Sequence, residues 1–357
     1  MDLSNCHKKR SDFRLWVQRT LPVIGFVIGV GMFVWTVSGC SYSKTYQESQ
    51  FFAMDTIMSI KLLGNEEELN HTRTIITALE DKVSVTDTDS ELYQLNHRTS
   101  DTIQLSDTVT QLLQEELIIT ETTNGALNPA LYPISTAWGF TTDTKRVPST
   151  EELALLLSKT NWREIQLSGN QLTLSPGMEL DFGATAKGYA SKLCADYLKE
   201  QQVDSALLDF GGNMYTIGNN EKGQPWKIGI RDPWDETGQN YVGILESTNE
   251  AVITSGSYER YFEQDGKKYH HIIDGTTGMP AESGLISVTI VCSDGLKADG
   301  LSTALFVMGL EKGSDYWKQY GDFEAIFITE DGAQYYTEGL EERYQPEASK
   351  KAEVIKR

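Results

Sequence analysis

Two short stretches of the chain, residues 181–188 and 298–303, hold the side chains best suited to binding a charged ligand. The first has the sequence Asp-Phe-Gly-Ala-Thr-Ala-Lys-Gly, in which small residues separate a hydrogen-bond acceptor, Asp181, from a cation, Lys187. The apolar residues before it predict a short strand, and those after it follow the period of a helix. Such a loop exposes backbone N–H groups that a phosphate can approach closely. A tight turn with a solvated lysine is the alternative, and the motif alone leaves both open.

The second stretch, Ala-Asp-Gly-Leu-Ser-Thr, places Asp299 and Thr303 four residues apart. Apolar residues after it follow a helical period, so we predict that Asp299 begins a helix and shares a face with Thr303. A carboxylate and a hydroxyl in this arrangement form the kind of oxygen-only pair that holds Mg²⁺ beside substrate phosphates. The alternative is an acid that stabilises the helix dipole, with Thr303 merely packed.

Together with three further stretches, these motifs resemble the ApbE-type family of flavin transferases, the FAD:protein FMN transferases. The resemblance extends from about Met54 to Gly309, and its five motifs occur in the family's order. They are the two stretches above, Gly-Gly at 211–212, Ser-Gly-Ser-Tyr-Glu-Arg-Tyr-Phe at 255–262 and His-Ile-Ile-Asp at 271–274. Five ordered motifs make the match specific.

The resemblance implies a reaction and a set of site residues. FAD binds with Mg²⁺ on its diphosphate, a Thr or Ser hydroxyl of an acceptor flavoprotein attacks the FMN phosphorus, and AMP leaves; Mn²⁺ also suits such an oxygen site. The resemblance assigns the metal to the Asp299 carboxylate, the Thr303 hydroxyl and the Ala184 carbonyl. It assigns FAD contacts to Met54, Ala126, Leu127, Asn128, Asp181, Lys187 and Ile272.

The resemblance also selects His271 as the base that takes the hydroxyl proton. Histidine normally titrates near neutral pH, which suits this role. Neighbouring residues of a strand face opposite sides, so only one of His270 and His271 can face a given site. The His-Ile-Ile-Asp match favours His271.

The chain departs from the family pattern near the expected flavin ring. Asp55 replaces a glycine, and Thr86 stands where the family usually has an aromatic residue that stacks on the flavin, a contact that Tyr93 could supply instead. Two other functions therefore stay open. One is hydrolysis of FAD to FMN and AMP, and the other is flavin binding without chemistry.

The first forty residues have the pattern of a lipoprotein signal peptide. Five basic residues precede a 17-residue apolar run, Leu21–Val37, which ends in Val-Ser-Gly-Cys at Cys40. This ending resembles a bacterial lipobox and implies cleavage before Cys40 and a lipid on its sulfur. The protein would then be anchored to the cell membrane on its extracytoplasmic side. An uncleaved transmembrane anchor is the alternative, since 17 residues is near the lower limit for spanning.

Composition limits the class of partner. The chain has 31 Lys and Arg against 51 Asp and Glu, a net charge of −20, which argues against binding nucleic acid. It would also repel a dinucleotide, so FAD needs a local metal ion and Lys187. Cys194 and Cys292 are isolated in apolar surroundings, which predicts buried hydrophobic residues and no disulfide.

The pattern of elements predicts an α+β fold with a mixed, largely antiparallel sheet and packed helices, similar to the ApbE flavin transferase fold. We expect a polar spacer at 41–50, a transferase domain at 51–340 and a frayed polar tail at 341–357. The length of the domain leaves a two-lobed arrangement open. Phe51–Ile60 has the pattern of a single strand, and hairpins are predicted within 163–174 and 258–273.

Overall fold

Strands of three to nine residues make up the sheets of the protein. The computed structural model describes residues 44–142, 144–348 and 350–357. In chain order its strands are β1 Thr45–Ala53, β2 Thr56–Gly64, β3 Thr102–Gln104, β4 Gln166–Ser168, β5 Gln171–Thr173, β6 Ser205–Phe210, β7 Met214–Gly218, β8 Trp226–Arg231, β9 Tyr241–Ser247, β10 Ala251–Gly256, β11 Tyr261–Gln264, β12 Lys267–His270, β13 Leu285–Cys292, β14 Glu324–Thr329, β15 Gln334–Thr337, β16 Tyr344–Pro346 and β17 Ala352–Ile355.

Helices with one buried face accompany the strands. They are α1 Glu66–Val83, α2 Glu91–Asn96, α3 Asp107–Thr122, α4 Tyr132–Trp138, α5 Thr150–Leu157, α6 Ala186–Glu200 and α7 Gly295–Tyr320. Short 3-10 turns occur at Pro129–Leu131, Trp162–Glu164 and Glu338–Leu340. Helix α7 is interrupted at Gly309, whose φ of 80° is not helical. None of the helices in this described part has the length and hydropathy required to span a bilayer.

The predicted α+β fold with a largely antiparallel sheet is confirmed. Nine strands form the main sheet in the order β1-β2-β6-β7-β10-β13-β14-β15-β17, and only the pairing of β15 with β17 is parallel. Helices α1, α6 and α7 pack in sequence beside this sheet, with α7 against β10 and β13. The main core lies between the sheet and these helices. Residues from Lys44 to Arg357 form one compact unit.

The expectation of a single strand over Phe51–Ile60 is wrong, because the segment is a hairpin. Met54 and Asp55 have φ of 48° and 58°, and the flanking strands pair with Ala53 opposite Thr56. Two residues with positive φ make the turn type that suits a two-residue hairpin. Strand β1 begins at Thr45, inside the expected spacer, because an edge strand can present polar residues to solvent on one side.

The tail after Glu341 is folded and not frayed. Tyr344 is 3% exposed and donates its hydroxyl to Gln334 Oε1 at 2.5 Å. Strand β17 extends the edge of the main sheet beside β15. The tail is mostly polar, yet one buried tyrosine and one edge strand are enough to order it.

The apolar segment before Asp181 does not form the expected strand. Both backbone groups of Leu180 bond to the Asn96 side chain, at 2.8 and 2.7 Å, and Arg98 donates to the Met178 carbonyl at 2.7 Å. Side chains therefore replace the neighbouring strand that a sheet would provide. The predicted hairpins β4–β5 and β11–β12 are present, and Cys194 and Cys292 are buried free thiols. Residues 1–40, including Cys40, lie outside the described residues.

Candidate active site

The first turns of α6 and α7 cross at two glycines, and this crossing positions Asp299. A Cβ atom on Gly188 would lie 2.2 Å from the Gly295 carbonyl oxygen and 2.5 Å from Asp299 Cβ. A Cβ on Gly295 would lie 2.4 Å from the Gly188 carbonyl oxygen. Side chains on either glycine would force the helices apart. The glycine that closes the 181–188 motif therefore permits contact with the 298–303 motif.

Asp299 accepts two hydrogen bonds inside this crossing. Its Oδ2 accepts from the Gly188 N–H at 2.8 Å and its Oδ1 accepts from Asn213 Nδ2 at 3.0 Å. Asp299 is 5% exposed, and burial raises the pKa of its carboxyl to about 6, an effect that nearby Lys187 opposes. The prediction that Asp299 begins the helix is wrong by one turn, because α7 begins at Gly295 and is capped by Asp294.

Thr303 follows Asp299 by one helical turn, as the spacing predicts. Its hydroxyl lies 3.1 Å from Ser255 Oγ on β10. Ser255 Oγ is also 2.6 Å from the hydroxyl of Ser302, which donates to the Asp299 carbonyl at 2.8 Å. Three hydroxyls thus connect α7 to the sheet beside Asp299.

The Ala184 carbonyl lies next to the same turn of α7. In a regular helix the Gly188 N–H would donate to the carbonyl four residues earlier, but here it donates to Asp299 Oδ2. Thr185, the neighbour of Ala184, has its methyl group 3.3 Å from where a Cβ on Gly300 would stand. Within the part of the chain that the structure describes, no backbone N–H donates to the Ala184 carbonyl, so this oxygen is free to bind a ligand.

The Asp299 carboxylate and the Thr303 hydroxyl lie one turn apart on α7, and the Ala184 carbonyl belongs to the loop whose Thr185 packs against Gly300 on the same helix. All three oxygens are hard donors of the type that Mg²⁺ and Mn²⁺ prefer. No group of three or more His, Cys, Asp and Glu side chains with metal-binding geometry occurs among residues 44–142, 144–348 and 350–357. The set around Asp299 has one carboxylate, so it fits a metal that takes its remaining ligands from neutral oxygens and from a substrate phosphate.

Asp181 anchors the other end of the small-residue loop. Its Oδ1 accepts from the Gly183 N–H at 2.9 Å, and its own N–H donates to the Pro129 carbonyl at 2.9 Å. Burial raises the pKa of Asp181, and the Arg260 guanidinium opposes this. The loop is therefore tied to the segment that contains Ala126, Leu127 and Asn128.

That segment offers backbone more than side chains. Asn128 donates to the Thr160 carbonyl at 3.0 Å and accepts from the Ala130 N–H at 2.9 Å, so its amide caps the following 3-10 turn. Leu127 is 2% exposed and Ile272 is 4% exposed. Asn128 Nδ2 lies 3.5 Å from where a Cβ on Gly275 would stand, which brings the segment beside the turn after Ile272.

The hairpin tip at Met54 meets the site from the sheet side. Met54 is half-buried, and its N–H donates to Glu80 Oε1 at 2.7 Å. The Thr56 hydroxyl would lie 2.2 Å from a Cβ on Gly211. Because Gly211 and Gly212 lead directly into Asn213, which bonds Asp299, the tip and the candidate metal ligands border one continuous region.

The two adjacent histidines differ in the nitrogens they leave free. His270 Nδ1 accepts from the Ile272 N–H at 3.3 Å, and its Nε2 donates to the Ala281 carbonyl at 3.1 Å, so both ring nitrogens are engaged. His271 Nδ1 lies 3.1 Å from the Arg260 carbonyl. Since a carbonyl only accepts, His271 Nδ1 carries the proton and Nε2 is the unprotonated nitrogen that a base requires.

The surroundings of His271 lower its pKa well below the near-neutral value that is usual for histidine. Burial, the Arg260 guanidinium and the Lys187 ammonium together lower the pKa of His271 to about 3. The expectation of a near-neutral pKa is therefore wrong for the protein without its substrate. His271 is uncharged at neutral pH and can accept a proton.

Several residues near the site were not predicted from the sequence. Asn213 donates to Asp299. Glu259 lies close enough to Lys187 for that cation to oppose the rise in the pKa of Glu259 caused by burial, and Arg260 lowers the pKa of His271. Asn213 follows the Gly-Gly motif directly, and Glu259 and Arg260 belong to the 255–262 motif. Their position in or beside a motif is the sequence feature that could have identified them as site residues.

Two aromatic rings, those of Tyr93 and Tyr132, lie in the part of the structure around Thr86. Tyr93 stacks on His97, with ring centroids 3.8 Å apart and an angle of 15°. Tyr132, half-buried, donates its hydroxyl to the Val85 carbonyl at 3.4 Å, and its pKa is raised by burial and by the nearby Asp181 carboxylate. Tyr132 is therefore an aromatic side chain beside both Thr86 and Asp181.

Comparison with known proteins gives consistent matches. The model of the ApbE family matches residues 54–327. A FAD:protein FMN transferase of Klebsiella pneumoniae is 35% identical over 81% of this chain and 90% of its own length. Another, from Treponema pallidum, is 34% identical over 76% of this chain and 79% of its own length.

A solved structure of similar shape supports the fold. The crystal structure of the ApbE protein of Thermotoga maritima superposes with a TM-score of 0.77 at 29% identity, over 84% of this chain and 99% of that one. The architecture predicted from the sequence is thus shared with a solved member of the family.

Proposed function

The chain belongs to the ApbE family, and from this premise we propose that it is a Mg²⁺-dependent enzyme that transfers FMN from FAD to a Thr or Ser hydroxyl of an acceptor flavoprotein. The observation that carries the proposal is the meeting of the two motifs at Asp299, which accepts the Gly188 N–H at 2.8 Å. That contact supports the proposal because it joins the loop that contains the Ala184 carbonyl to the helix that carries Asp299 and Thr303. The arrangement suits a metal and a diphosphate.

The metal would be held by Asp299, Thr303 and the Ala184 carbonyl. A divalent ion there would neutralise the charge of the FAD diphosphate and polarise its phosphoryl oxygens. Lys187, half-buried beside Asp299, adds a positive charge on the same side. Asp181, Met54 and the backbone of 126–128 line the region toward which the flavin would extend, with Tyr132 as an additional ring.

His271 would take the proton of the acceptor hydroxyl. As the hydroxyl oxygen forms its bond to the FMN phosphorus, the bond from that phosphorus to the AMP oxygen breaks, and the proton moves to His271 Nε2. The Arg260 carbonyl, which accepts from Nδ1, stabilises the imidazolium that results. A bound diphosphate would offset the Lys187 and Arg260 charges and raise the pKa of His271 from its low value.

The proposed location of the reaction rests on the sequence of the first forty residues. Basic residues, an apolar run and Val-Ser-Gly-Cys at Cys40 support a lipid anchor on the extracytoplasmic side of the membrane. The acceptor would then present its hydroxyl on that side.

One incubation separates transfer from the two alternatives. The purified protein is mixed with FAD, Mg²⁺ and a candidate acceptor, and an acceptor with its target Thr or Ser changed to Ala serves as the control. Transfer gives gel-resistant flavin fluorescence on the unchanged acceptor together with AMP. Release of FMN and AMP in both mixtures would show hydrolysis, and unchanged FAD in the presence of bound flavin would show binding alone.

A further inference from the structure

Glu116 on α3 is a buried acid to which the mechanism above gives no role. Its side chain is fully buried, and its Oε2 accepts the Thr185 hydroxyl at 2.9 Å. Its Oε1 is buried and has no hydrogen-bond partner among the described residues. Burial raises the pKa of Glu116 well above its usual value, as do the Asp181 and Asp299 carboxylates. A buried carboxyl with one oxygen unpaired costs folding free energy.

The local helix pattern would favour an apolar residue at this position. The residues three and four positions away on α3 are all buried, and they are Leu112, Leu113, Ile119 and Thr120. A leucine at 116 would continue this buried face. A residue that opposes both its local pattern and stability is often retained for function.

The one bond that the carboxyl makes is to the residue beside the Ala184 carbonyl. Thr185 precedes α6, where a threonine hydroxyl commonly caps the helix, but it makes no capping bond here. Its hydroxyl donates to Glu116 instead, and its methyl group abuts Gly300 on α7. Thr185 is thus held between α3 and α7, and the peptide that carries the Ala184 carbonyl is held with it.

We propose that Glu116 is a positioning residue of the metal site: through the Thr185 hydroxyl it fixes the Ala184 carbonyl in place opposite Asp299. The proposal rests on the proposed function, which gives that carbonyl to the metal. Partners of this kind, which touch a ligand residue and not the metal, commonly change metal affinity 10–100-fold when removed.

The test measures metal affinity apart from catalysis. Mn²⁺ is titrated into the protein in the presence of ADP, whose diphosphate stands in for that of FAD, and free Mn²⁺ is followed by its EPR signal. Glu116→Leu should weaken Mn²⁺ binding about tenfold or more while the melting temperature stays equal or rises. Glu116→Gln, whose carbonyl oxygen still accepts from Thr185, should bind within about threefold of wild type.

Thr110→Val is the matched control, because Thr110 lies six residues earlier on α3 and also has a buried hydroxyl without a partner among the described residues. It should leave Mn²⁺ affinity unchanged. Thr185→Val should reproduce the loss seen in Glu116→Leu, Thr185→Ser should restore affinity, and the Leu and Val changes combined should cost no more than either alone.

Two results would overturn the proposal. One is wild-type Mn²⁺ affinity in folded Glu116→Leu or, if that variant does not fold, in Thr185→Val. The other is an equal loss in Glu116→Gln and Glu116→Leu. A failure of the proposed function looks different, since the wild-type protein itself would then neither bind Mn²⁺ with ADP nor release AMP from FAD.

Discussion

The two adjacent histidines allow the general-base assignment to be tested, because replacing one should affect mainly stability and replacing the other mainly catalysis. His270 uses both ring nitrogens in hydrogen bonds and lies edge-on to Phe306, with ring centroids 5.6 Å apart. His271 uses only Nδ1 and leaves Nε2 free. The first histidine is therefore expected to contribute to stability, and the second to catalysis.

For His271→Ala we expect the transfer rate to fall by about 10²–10⁴, the usual contribution of a positioned general base. The variant loses one side-chain hydrogen bond, ~0.5–1.5 kcal/mol, and an edge-on contact with Phe140 at a longer centroid distance of 6.4 Å, so its melting temperature should fall less than that of His270→Ala. FAD affinity should stay within about threefold, because the proposed metal and loop contacts do not involve His271.

For His270→Ala we expect the reverse. Two hydrogen bonds and an edge-on aromatic contact are lost, which should lower the free energy of unfolding by roughly 2–4 kcal/mol and the melting temperature by roughly 4–8 °C. At a temperature where both proteins are folded, its transfer rate should remain close to that of wild type.

His271→Asn is the sharper control, since its amide N–H can still donate to the Arg260 carbonyl although it cannot take a proton. Single-turnover transfer of flavin to the acceptor measures the chemical step, and thermal unfolding monitors the fold. Activity above a tenth of wild type in His271→Asn would refute the assignment, and Asp274 would be the next candidate base. An inactive but folded His270→Ala would show that the roles are exchanged.

Three further outcomes can be checked. Asp299→Ala should abolish AMP release and lower the free energy of unfolding by about 2 kcal/mol or more, because two buried N–H donors lose their acceptor. Thr303→Val should only weaken the apparent Mg²⁺ affinity, measured from the rate of AMP release as Mg²⁺ is titrated. Wild-type turnover of Asp299→Ala at saturating Mg²⁺ would contradict the site. As the pH is lowered from 7 to 5, His271 becomes protonated in the unfolded chain but not in the folded protein, where its pKa is about 3. The free energy of unfolding should therefore decrease as the pH is lowered, by up to about 2 kcal/mol at pH 5 from this group. Denaturant titrations should show a smaller fall in His271→Asn. Cys40→Ala should leave a longer, unprocessed precursor by mass spectrometry, whereas an unchanged mass would favour an uncleaved anchor.

Local patterns predicted the elements that carry the motifs. The Asp265-Gly266 turn between β11 and β12 and the helical period after Lys187 are short-range signals, and both elements are present. Phe51–Ile60 was expected to be one strand because apolar residues lie close on both sides of the turn, and its centre, Met54 and Asp55, contains no glycine. A two-residue hairpin without glycine has little sequence signature.

The contacts that support the site could not be predicted in the same way. Glu116 and Thr185 are 69 residues apart, and Asn213 and Asp299 are 86 apart. Periodicity shows which face of an element is buried, but it does not show which element lies against that face. The motifs name the residues that we propose contact the substrate, and only the fold shows the residues that hold them.

Net charge was a poor guide to the site for the same reason. A chain with a net charge of −20 should repel a dinucleotide. Within the site, however, the Lys187 charge acts to lower the pKa of Asp299 and His271, and the Arg260 charge acts to lower the pKa of Asp181 and His271. Charges spread over the surface are screened beyond about 8 Å at physiological ionic strength, while cations inside a partly buried site act at short range with little screening. The first turn of α6, with Lys187, and the segment before β11, with Arg260, each bring one cation to this region. We therefore expect attraction for a diphosphate to be set by these few groups and the proposed metal, while the acidic remainder of the surface opposes non-specific binding of other anions.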